Sequence, residues 1–429
     1  MGCQMNEYDS DLIARTLVSE GYVQLKEPQS ADLLIVNTCT VRAKPEQKAY
    51  SMLGRMSAIK KKRPEIKMAV IGCLAQEKGA GLIKRFPLLD LVMGPRQIDR
   101  FKGSLRLLER GGNPIVATDS KGRPPIPPTD ASSYFKGRTS GQISIMEGCN
   151  NFCSYCIVPY VRGREISRSP DSILEEAVGL VSQDVRDITL LGQNVNSYSW
   201  NEGESYGFPR LLKLLSGVKG LLRLRFTTSH PKDLSDELIK CFGELENLCP
   251  HIHLPFQAGS NKVLSEMRRR YTREDYLLLI EKLRKVNPFI AITSDVMVGF
   301  PGEDDNDFQD TLDLVRSVRF DGLFSFKYSD RKGTLAEKMG KKVSEAEKSS
   351  RLEVLQSLQK QITLEKNSQL KDKVVAVLVE GKSKRGDQMS GRTSSNKIVN
   401  FNSNNNNINR LVKVKIKSAF VNSLRGELV

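Results

Sequence analysis

The sequence predicts an α/β protein with an N-terminal doubly wound α/β domain, a central partial (β/α)6 barrel and a small C-terminal all-β barrel. Short apolar runs alternate with helical patterns before residue 115 and again between residues 140 and 340, as parallel sheets require. A stretch rich in Pro, Gly and Ser separates the two series, and the last 63 residues are β-branched and interrupted by Gly. We therefore place an N-terminal domain at 1–116, a linker at 117–139, a core at 140–366 and a C-terminal barrel at 367–429.

The composition is that of a soluble and strongly basic chain. Of 429 residues, 39% are hydrophobic and 27% charged, and the net charge of +16 indicates either a polyanionic partner or a surface that is basic only for solubility. No run approaches the roughly 18 apolar residues of a membrane span. The start, MGCQMNEYDS, has no secretory signal, and Asn6 breaks the myristoylation pattern. Eight cysteines in such a chain indicate a cytoplasmic protein with thiol metal ligands.

Three cysteines of the N-terminal domain lie where strands end or the first helix begins. The runs SADLLIVNTCTVR, KMAVIGCLAQ and LDLVMG read as buried parallel strands with helices between them. Cys39 ends the first run, Cys73 ends the second, and Cys3 lies just before the first helix. Because ligands gather at the carboxyl ends of such strands, we expect the three thiols to converge at one edge of the sheet. The alternative is three unrelated core cysteines.

The central part repeats strand and helix six times, short of the eight strands of a closed barrel. Its predicted strands are GQISIMEGC, DITLLGQNV, LRLRFTTSH, HIHLPFQAG, AITSDVMVGF and GLFSFKYS. The first of them leads into GCNNFCSYC, on the face where the strands end. A long polar helix, SEAEKSSRLEVLQSLQKQITLEKNSQL, leads out of the barrel.

The segment GCNNFCSYC spaces its thiols as Cys149-x3-Cys153-x2-Cys156. Thiolates can hold a four-iron–four-sulfur cluster, and three ligands leave one iron with an open, reactive position. The competing interpretation is zinc with an unseen fourth ligand, for which His251 and His253 are candidates.

The C-terminal segment carries half of the excess positive charge. It has twelve Lys and Arg against four Asp and Glu, a net charge of +8. LVKVKIK alternates, so Lys413, Lys415 and Lys417 share one face of a strand. With Arg392 and Lys397 they are our candidates for RNA binding, against the alternative of an ordinary solvated face.

Cys-x3-Cys-x2-Cys at the end of a first barrel strand is the hallmark of radical S-adenosylmethionine (SAM) enzymes. Within them the chain resembles the methylthiotransferase family along nearly its whole length, through GCQMNEYDS, NTCTVR, IGCLAQ, GCNNFCSYCIVPYVRGREISR, LLGQNVNSY and SDVMVGFPGE. The resemblance implies SAM and two 4Fe-4S clusters as cofactors. It assigns Cys149, Cys153 and Cys156 to the radical cluster and Cys3, Cys39 and Cys73 to an auxiliary cluster.

Four further residues are candidates for contacts with SAM or substrate. Gln193 and Asn194 end a barrel strand beside the cofactor face, and Ser294 and Asp295 lie inside a later strand, where a structural role is the alternative. The C-terminal segment looks like the TRAM domain, an RNA-binding β-barrel.

GCQMNEYDS and CIVPYVRGRE resemble the tRNA branch of the family. That branch replaces the C2 hydrogen of N6-isopentenyladenosine, at position 37 in the anticodon stem-loop of tRNA, with a methylthio group. The resemblance also implies a low-potential electron donor such as flavodoxin or ferredoxin, and we expect a monomer. The alternatives are a methylthiotransferase for a ribosomal protein or for N6-threonylcarbamoyladenosine of tRNA, and a non-catalytic iron–sulfur RNA-binding sensor.

The chain departs from the family pattern at its start. Relatives have a strand before the first Gly-Cys, whereas here Met1 directly precedes Gly2 and Cys3. Either the start lies upstream, or the sheet lacks that strand and Cys3 lies on a frayed terminus.

Overall fold

The computed structural model describes residues 3–40, 43–119, 134–135, 137–202, 204–384, 386, 388–403 and 407–429. Most of the predicted linker, including residues 120–133, lies outside this part of the chain. None of the helices within it has both the length and the apolarity needed to cross a bilayer.

The N-terminal domain is a parallel sheet with the strand order β1-β2-β3-β4 and helices on both faces. Its elements are α1 (Gln4–Ser19), β1 (Leu33–Asn37), α2 (Ala43–Lys62), β2 (Lys67–Ile71), α3 (Cys73–Lys78), α4 (Ala80–Arg85), β3 (Leu91–Met93), α5 (Phe101–Glu109) and β4 (Ile115–Ala117). Helices α1 and α5 bury apolar side chains against one face, and α2, α3 and α4 against the other. The doubly wound prediction is confirmed, and β4 adds a strand too short to stand out in the sequence.

The central domain contains the six predicted strands, with helices outside them. Its elements are β5 (Ser140–Ser144), β6 (Met146–Glu147), α6 (Val158–Arg162), β7 (Ile166–Ser167), α7 (Pro170–Ser182), β8 (Asp187–Leu191), β9 (Ser199–Glu202), β10 (Glu204–Gly207), α8 (Phe208–Ser216), β11 (Arg223–Thr227), α9 (Asp236–Glu244), β12 (His251–His253), α10 (Asn261–Glu266), α11 (Arg273–Val286), β13 (Ala291–Val298), α12 (Asp305–Val318), β14 (Gly322–Lys327) and α13 (Glu345–Ser368).

These strands form two parallel sheets, β11-β8-β5 and β12-β13-β14, with a parallel bridge between Leu224 and Leu248 beside their junction. One apolar core runs behind both sheets, so together they form the predicted partial barrel. Side-chain caps fix where three of the outer helices begin: Ser169 for α7, Thr272 for α11 and Asp304 for α12. The short hairpin β9–β10 and the strand β7 were not predicted, whereas β6, with which β7 pairs, lies within the predicted run GQISIMEGC.

The C-terminal segment is a closed five-stranded barrel, as predicted. Its strands β15 (Val374–Lys382), β16 (Met389–Thr393), β17 (Ile398–Phe401), β18 (Leu411–Ala419) and β19 (Leu424–Leu428) close in the order β15-β16-β17-β19-β18. A Cβ on Gly391 would lie 2.2 Å from the carbonyl oxygen of Leu378, so the close approach of β15 and β16 requires glycine there.

Two buried arginines at the start of β11 join the two barrels. Arg223 donates hydrogen bonds to the carbonyl oxygens of Arg392 (2.6 Å) and Ala376 (3.3 Å). Arg225 donates to the carbonyl oxygen of Thr393 (3.0 Å) and also bonds Asp187 (2.9 Å), the first residue of β8. The C-terminal barrel therefore packs against the amino ends of the parallel strands, opposite the face on which the cysteine loop lies.

Candidate active site

The three cysteines of the central motif lie on one loop between β6 and α6, beyond the end of the first barrel strand. The Cys149 amide donates to the carbonyl of Gly163 (3.2 Å), and the Cys156 amide donates to the carbonyl of Cys153 (3.0 Å). Burial raises the pKa of the Cys149 thiol, and burial together with Cys153 raises the pKa of Cys156 to about 12. Metal binding by Cys149 and Cys156 therefore requires the loss of their thiol protons.

A glycine and a side chain from the end of a barrel strand fix the conformation at the start of this loop. Gly148 has φ +87°, and a Cβ there would lie 2.1 Å from the carbonyl oxygen of Arg164. Its amide donates to Oε1 of Gln193, which lies beyond the end of β8. Gln193 therefore supports the residue directly before Cys149.

A buried arginine, Arg269, lies against the middle cysteine. Its guanidinium donates to Cys153 Sγ (3.4 Å), to the carbonyl oxygen of Pro255 (2.9 Å) and to the hydroxyl of Tyr271 (3.1 Å). Sequence reasoning missed Arg269, because a lone arginine 116 residues after its partner leaves no spacing signal.

The predicted SAM-contact residues occupy different environments. Among the described residues, Gln193 Nε2 and Asn194 Oδ1 are buried without a hydrogen-bond partner, while Asn194 Nδ2 donates to Asp233 (2.7 Å). A buried polar atom without a partner indicates a site for a polar ligand group. The assignment of both residues to SAM or substrate stays a prediction.

Ser294 and Asp295 point to opposite faces of β13. The fully buried Ser294 hydroxyl donates to the carbonyl of Leu254 (2.8 Å) and accepts from the amide of Phe256 (2.9 Å). Asp295 is partly exposed, with its Oδ1 3.7 Å from Nε2 of His253. The structure thus gives Ser294 a backbone-bridging role and leaves Asp295 accessible, and a cofactor contact for either residue stays a prediction.

The three N-terminal cysteines converge, as the strand ends predicted. Cys3 precedes α1, Cys39 follows β1, and Cys73 begins α3 after β2. A hydrogen bond from Cys39 lowers the pKa of Cys3 to about 6 and also lowers the pKa of Cys73. The pKa of Cys39 rises, because its thiol bonds both neighbours. The structure therefore gathers Cys3, Cys39 and Cys73 into one site.

Two asparagines and a glycine shape this site. Asn6 Nδ2 donates to Asn37 Oδ1 (3.1 Å), and Asn37 Nδ2 returns a bond to the carbonyl of Asn6 (2.8 Å). Gly72 has φ +98°, and a Cβ there would lie 2.5 Å from Asn37 Oδ1 and 2.8 Å from the carbonyl oxygen of Thr38. Only glycine fits between the two cysteine-bearing strand ends.

The two sets of three cysteines, called the thiol triads below, lie beside the contact between the N-terminal and central domains. Cys73 packs against Ile157 and Val161, the first of which directly follows Cys156. The Arg162 guanidinium, buried at the end of α6, donates to Cys73 Sγ (3.3 Å). The N-terminal domain therefore contacts the radical-motif loop through a candidate cluster ligand.

The donor sets fit polynuclear clusters better than single ions. Within the described ranges, no group of three Cys, His, Asp or Glu side chains has its ligand atoms arranged to hold a single metal ion, although the N-terminal cysteines are neighbours. Each triad instead supplies three thiols and one arginine N–H bond to a sulfur, the outer contact that tunes iron–sulfur centres. His251 and His253, the candidate zinc ligands, both bond the hydroxyl of Thr293 instead.

The predicted RNA-binding residues fall into two groups. Lys413, Lys415 and Lys417 alternate with buried Val414 and Ile416, so they lie on the outer face of β18 as predicted. Lys417 is paired with Glu427 (3.1 Å).

Arg392 and Lys397 instead lie at the junction of the two barrels. Arg392 pairs with Glu380 (3.1 Å), and Lys397 bonds Asp321 (3.0 Å) and Asn367 (2.8 Å). They border a cleft of about 680 Å³ between β14, α13 and the C-terminal barrel. RNA binding by all five basic residues stays a prediction.

Comparison with known protein families finds three models that match successive parts of the chain. Residues 143–315 match the Radical SAM superfamily, residues 370–429 match the TRAM domain, and residues 1–94 match the Uncharacterized protein family UPF0004. A solved structure of the radical SAM methyltransferase TsrM from Kitasatospora setae has the same fold over 75% of this chain and 72% of that one, with a TM-score of 0.57 at 16% identity.

Two curated relatives are similar over the full length. A protein of Syntrophus aciditrophicus (strain SB) is 49% identical over 100% of this chain and 93% of its own, and one of Geobacter metallireducens is 48% identical over 100% and 96%. Both are named tRNA-2-methylthio-N(6)-dimethylallyladenosine synthase. The chain therefore belongs to the radical SAM superfamily and, within it, to the family of these methylthiotransferases.

Proposed function

We propose that this radical SAM enzyme adds a methylthio group to C2 of N6-dimethylallyladenosine (the N6-isopentenyl nucleoside) at position 37 of tRNA. The names of its full-length relatives support this substrate. The geometric observation that carries the proposal is the contact of Cys73 with Ile157 and Val161, which brings two three-thiol sites to one junction. An enzyme that only generated a radical would need one such site.

The C2–H bond of adenine is not acidic enough for a general base, so its replacement requires a radical. When bound, SAM and the two 4Fe-4S clusters supply a 5′-deoxyadenosyl radical, a methyl group and the inserted sulfur. The protein binds and orients these groups, and it excludes water from them.

We assign Cys149, Cys153 and Cys156 as ligands of the radical cluster. Gln193 fixes the loop through the Gly148 amide, and Arg269 bonds Cys153. We also assign Gln193 Nε2 and Asn194 Oδ1, which are buried without a hydrogen-bond partner among the described residues, to polar groups of SAM or substrate. We assign the partly exposed Asp295 of β13 to the same role.

We assign Cys3, Cys39 and Cys73 as ligands of the auxiliary cluster. The thiol of Cys39 shares hydrogen bonds with those of Cys3 and Cys73. The site lies beside the loop that carries Cys149, Cys153 and Cys156, because Cys73 packs against Ile157 and Val161.

The anticodon stem-loop of tRNA is the proposed macromolecular partner. The outer face of β18 supplies Lys413, Lys415 and Lys417 for phosphate contacts. Arg392 and Lys397 contribute further contacts with tRNA at the barrel junction.

We also propose that the ranges 1–116, 140–366 and 367–429 are three domains with separate tasks.

We further propose that the enzyme is a cytoplasmic monomer that takes electrons from a low-potential carrier such as flavodoxin or ferredoxin. None of the eight cysteines, all of which lie among the described residues, forms a disulfide, which is consistent with a reducing compartment.

The test is reconstitution with iron, sulfide, SAM and a reductant, followed by nucleoside analysis of three substrates. These are tRNA carrying N6-dimethylallyladenosine, tRNA carrying N6-threonylcarbamoyladenosine, and ribosomal protein. We expect methylthiolation of the first only. Methylthiolation of either other substrate in its place would overturn the assignment, and absence of 5′-deoxyadenosine would favour a non-catalytic RNA-binding sensor.

A further inference from the structure

Arg162, a residue of the central domain, hydrogen-bonds a cysteine of the N-terminal domain. Its Nε donates to Cys73 Sγ (3.3 Å), one terminal nitrogen donates to Glu147 Oε1 (3.0 Å), and the other donates to Asp9 Oδ2 (2.6 Å). The three charged side chains of this group are nearly inaccessible to solvent, with side-chain exposures of 3–4%. The guanidinium is therefore fixed in one orientation.

The three partners of Arg162 belong to the two cluster-binding regions. Asp9 lies on α1, which begins directly after Cys3, while Glu147 lies two residues before Cys149. Arg162 itself lies six residues after Cys156. One side chain therefore connects the stem of the radical loop with the elements that carry Cys3 and Cys73.

We propose that Arg162 is a positioning residue that tunes the auxiliary cluster and fixes it relative to the radical cluster. A hydrogen bond to a ligand sulfur stabilises the more negative, reduced form of an iron–sulfur cluster and so raises its reduction potential. The fork geometry of arginine lets three separate nitrogens donate to the sulfur and to both carboxylates at once, whereas lysine would have to reach all three from a single nitrogen. This inference rests on the proposed function, because it requires Cys73 to ligate the sulfur-supplying cluster.

If Arg162 only stabilised the fold, its replacement would not change the reduction potential of the auxiliary cluster. Arg168 serves as the comparison, because it is equally buried and ion-paired: it bonds Glu176 (2.7 Å) and the carbonyl of Ser144 (2.8 Å), and it has no hydrogen bond to a cysteine among the described residues. Replacing either arginine removes a buried ion pair, but of these two only Arg162 touches a candidate ligand.

The experiment uses the full chain with Cys149, Cys153 and Cys156 replaced by Ala, so that one cluster remains. The midpoint potential of that cluster is measured by EPR-monitored titration in the parent and in R162K, R162Q and R168K. We expect a lower potential in R162K and R162Q, and no change in R168K. Should R162Q fail to fold, R162K, which keeps the charge, decides the result.

In the two-cluster enzyme, the same variants are compared by the ratio of methylthiolated nucleoside to 5′-deoxyadenosine. The ratio should fall about tenfold or more in R162K, within the range usual for loss of an outer-shell partner, and remain at the parental value in R168K. Unchanged potential and unchanged ratio in both Arg162 variants would overturn the inference. If the parental enzyme made no methylthiolated nucleoside, the proposed function itself would fail, whatever the potentials.

Discussion

Arg269 donates a hydrogen bond to Cys153 Sγ over 3.4 Å, across 116 residues of sequence. The same guanidinium also bonds the carbonyl oxygen of Pro255 (2.9 Å), beyond the end of β12. The middle cysteine of the radical loop is therefore tied to the opposite half of the barrel. Arg269 and Arg162 place one buried cation beside each thiol triad, where it offsets the negative charge that metal-bound thiolates carry.

Replacing Arg269 with Gln should reduce SAM cleavage about tenfold or more, since the radical loop loses an outer-shell partner. The measurement is the rate of 5′-deoxyadenosine formation at matched iron content. Arg273→Gln is the control. Arg273 lies four residues after Arg269, is more exposed than Arg269 and pairs with Asp310 (3.0 Å). Equal rates in R269Q and R273Q would refute a role for Arg269 in the radical site.

Changing Cys149, Cys153 and Cys156 together to Ala should halve the iron content, from about eight to about four per chain, because one of two four-iron clusters is lost. Formation of 5′-deoxyadenosine should stop. Iron analysis and product quantitation check both outcomes. SAM cleavage at the parental rate in the triple variant would show that this loop does not bind the radical cluster.

Gly72→Ala should selectively impair the auxiliary site. The added Cβ would lie 2.5 Å from Asn37 Oδ1, at a φ of +98° that alanine rarely adopts. We expect loss of iron from the N-terminal site and loss of methylthiolation, with SAM cleavage retained. Gly103→Ala is the matched control, because no atom lies within 4 Å of a Cβ there. If both variants kept full iron content, the crowding at Gly72 would have no functional consequence.

Replacing Lys413, Lys415 and Lys417 with Ala should weaken tRNA binding and flatten its salt dependence. The slope of log K against log salt should become shallower by at most about 0.9 for each phosphate that the variant no longer neutralises. Lys417 should contribute least, because Glu427 already pairs with it (3.1 Å). An unchanged slope would identify this face as ordinary surface.

Point variants are preferable here to deleting the whole C-terminal barrel. Deletion would remove the carbonyl acceptors of the buried arginines Arg223 and Arg225. Without these acceptors the two arginine charges would destabilise the central barrel. A loss of tRNA binding could then result from misfolding rather than from the missing RNA contacts.

The sequence predicted most of the fold, because the strands are continuous apolar runs and the helices have clear periodicity. Six barrel strands, the helices α1 and α2 beside the N-terminal sheet, and the C-terminal barrel follow from local patterns. The strands β4 and β7 escaped, since two or three residues carry no period.

The functional residues could be predicted only where they belong to a short sequence motif or follow a predicted strand. The candidate ligands Cys39 and Cys73 follow strands, and Cys3 precedes the first helix, so their convergence could be anticipated. Arg162, Arg269 and Asn37 could not be, because each acts through contacts between segments distant in sequence. Lys397 shows the same limit: composition marked it as a basic surface residue, whereas its ammonium bonds Asp321 at a domain junction.

The central claim is that Cys149, Cys153 and Cys156 support SAM cleavage, whereas Cys3, Cys39 and Cys73 support sulfur insertion. Cys39→Ala tests this claim most directly. Cys39 hydrogen-bonds both other N-terminal cysteines and lies well inside the domain, so its loss opens the auxiliary site without disturbing the radical loop. The measurement is parallel quantitation of 5′-deoxyadenosine and methylthiolated nucleoside, with iron content determined on the same sample. We predict that SAM cleavage persists while methylthiolation stops. Methylthiolation of tRNA at the parental rate would contradict the account.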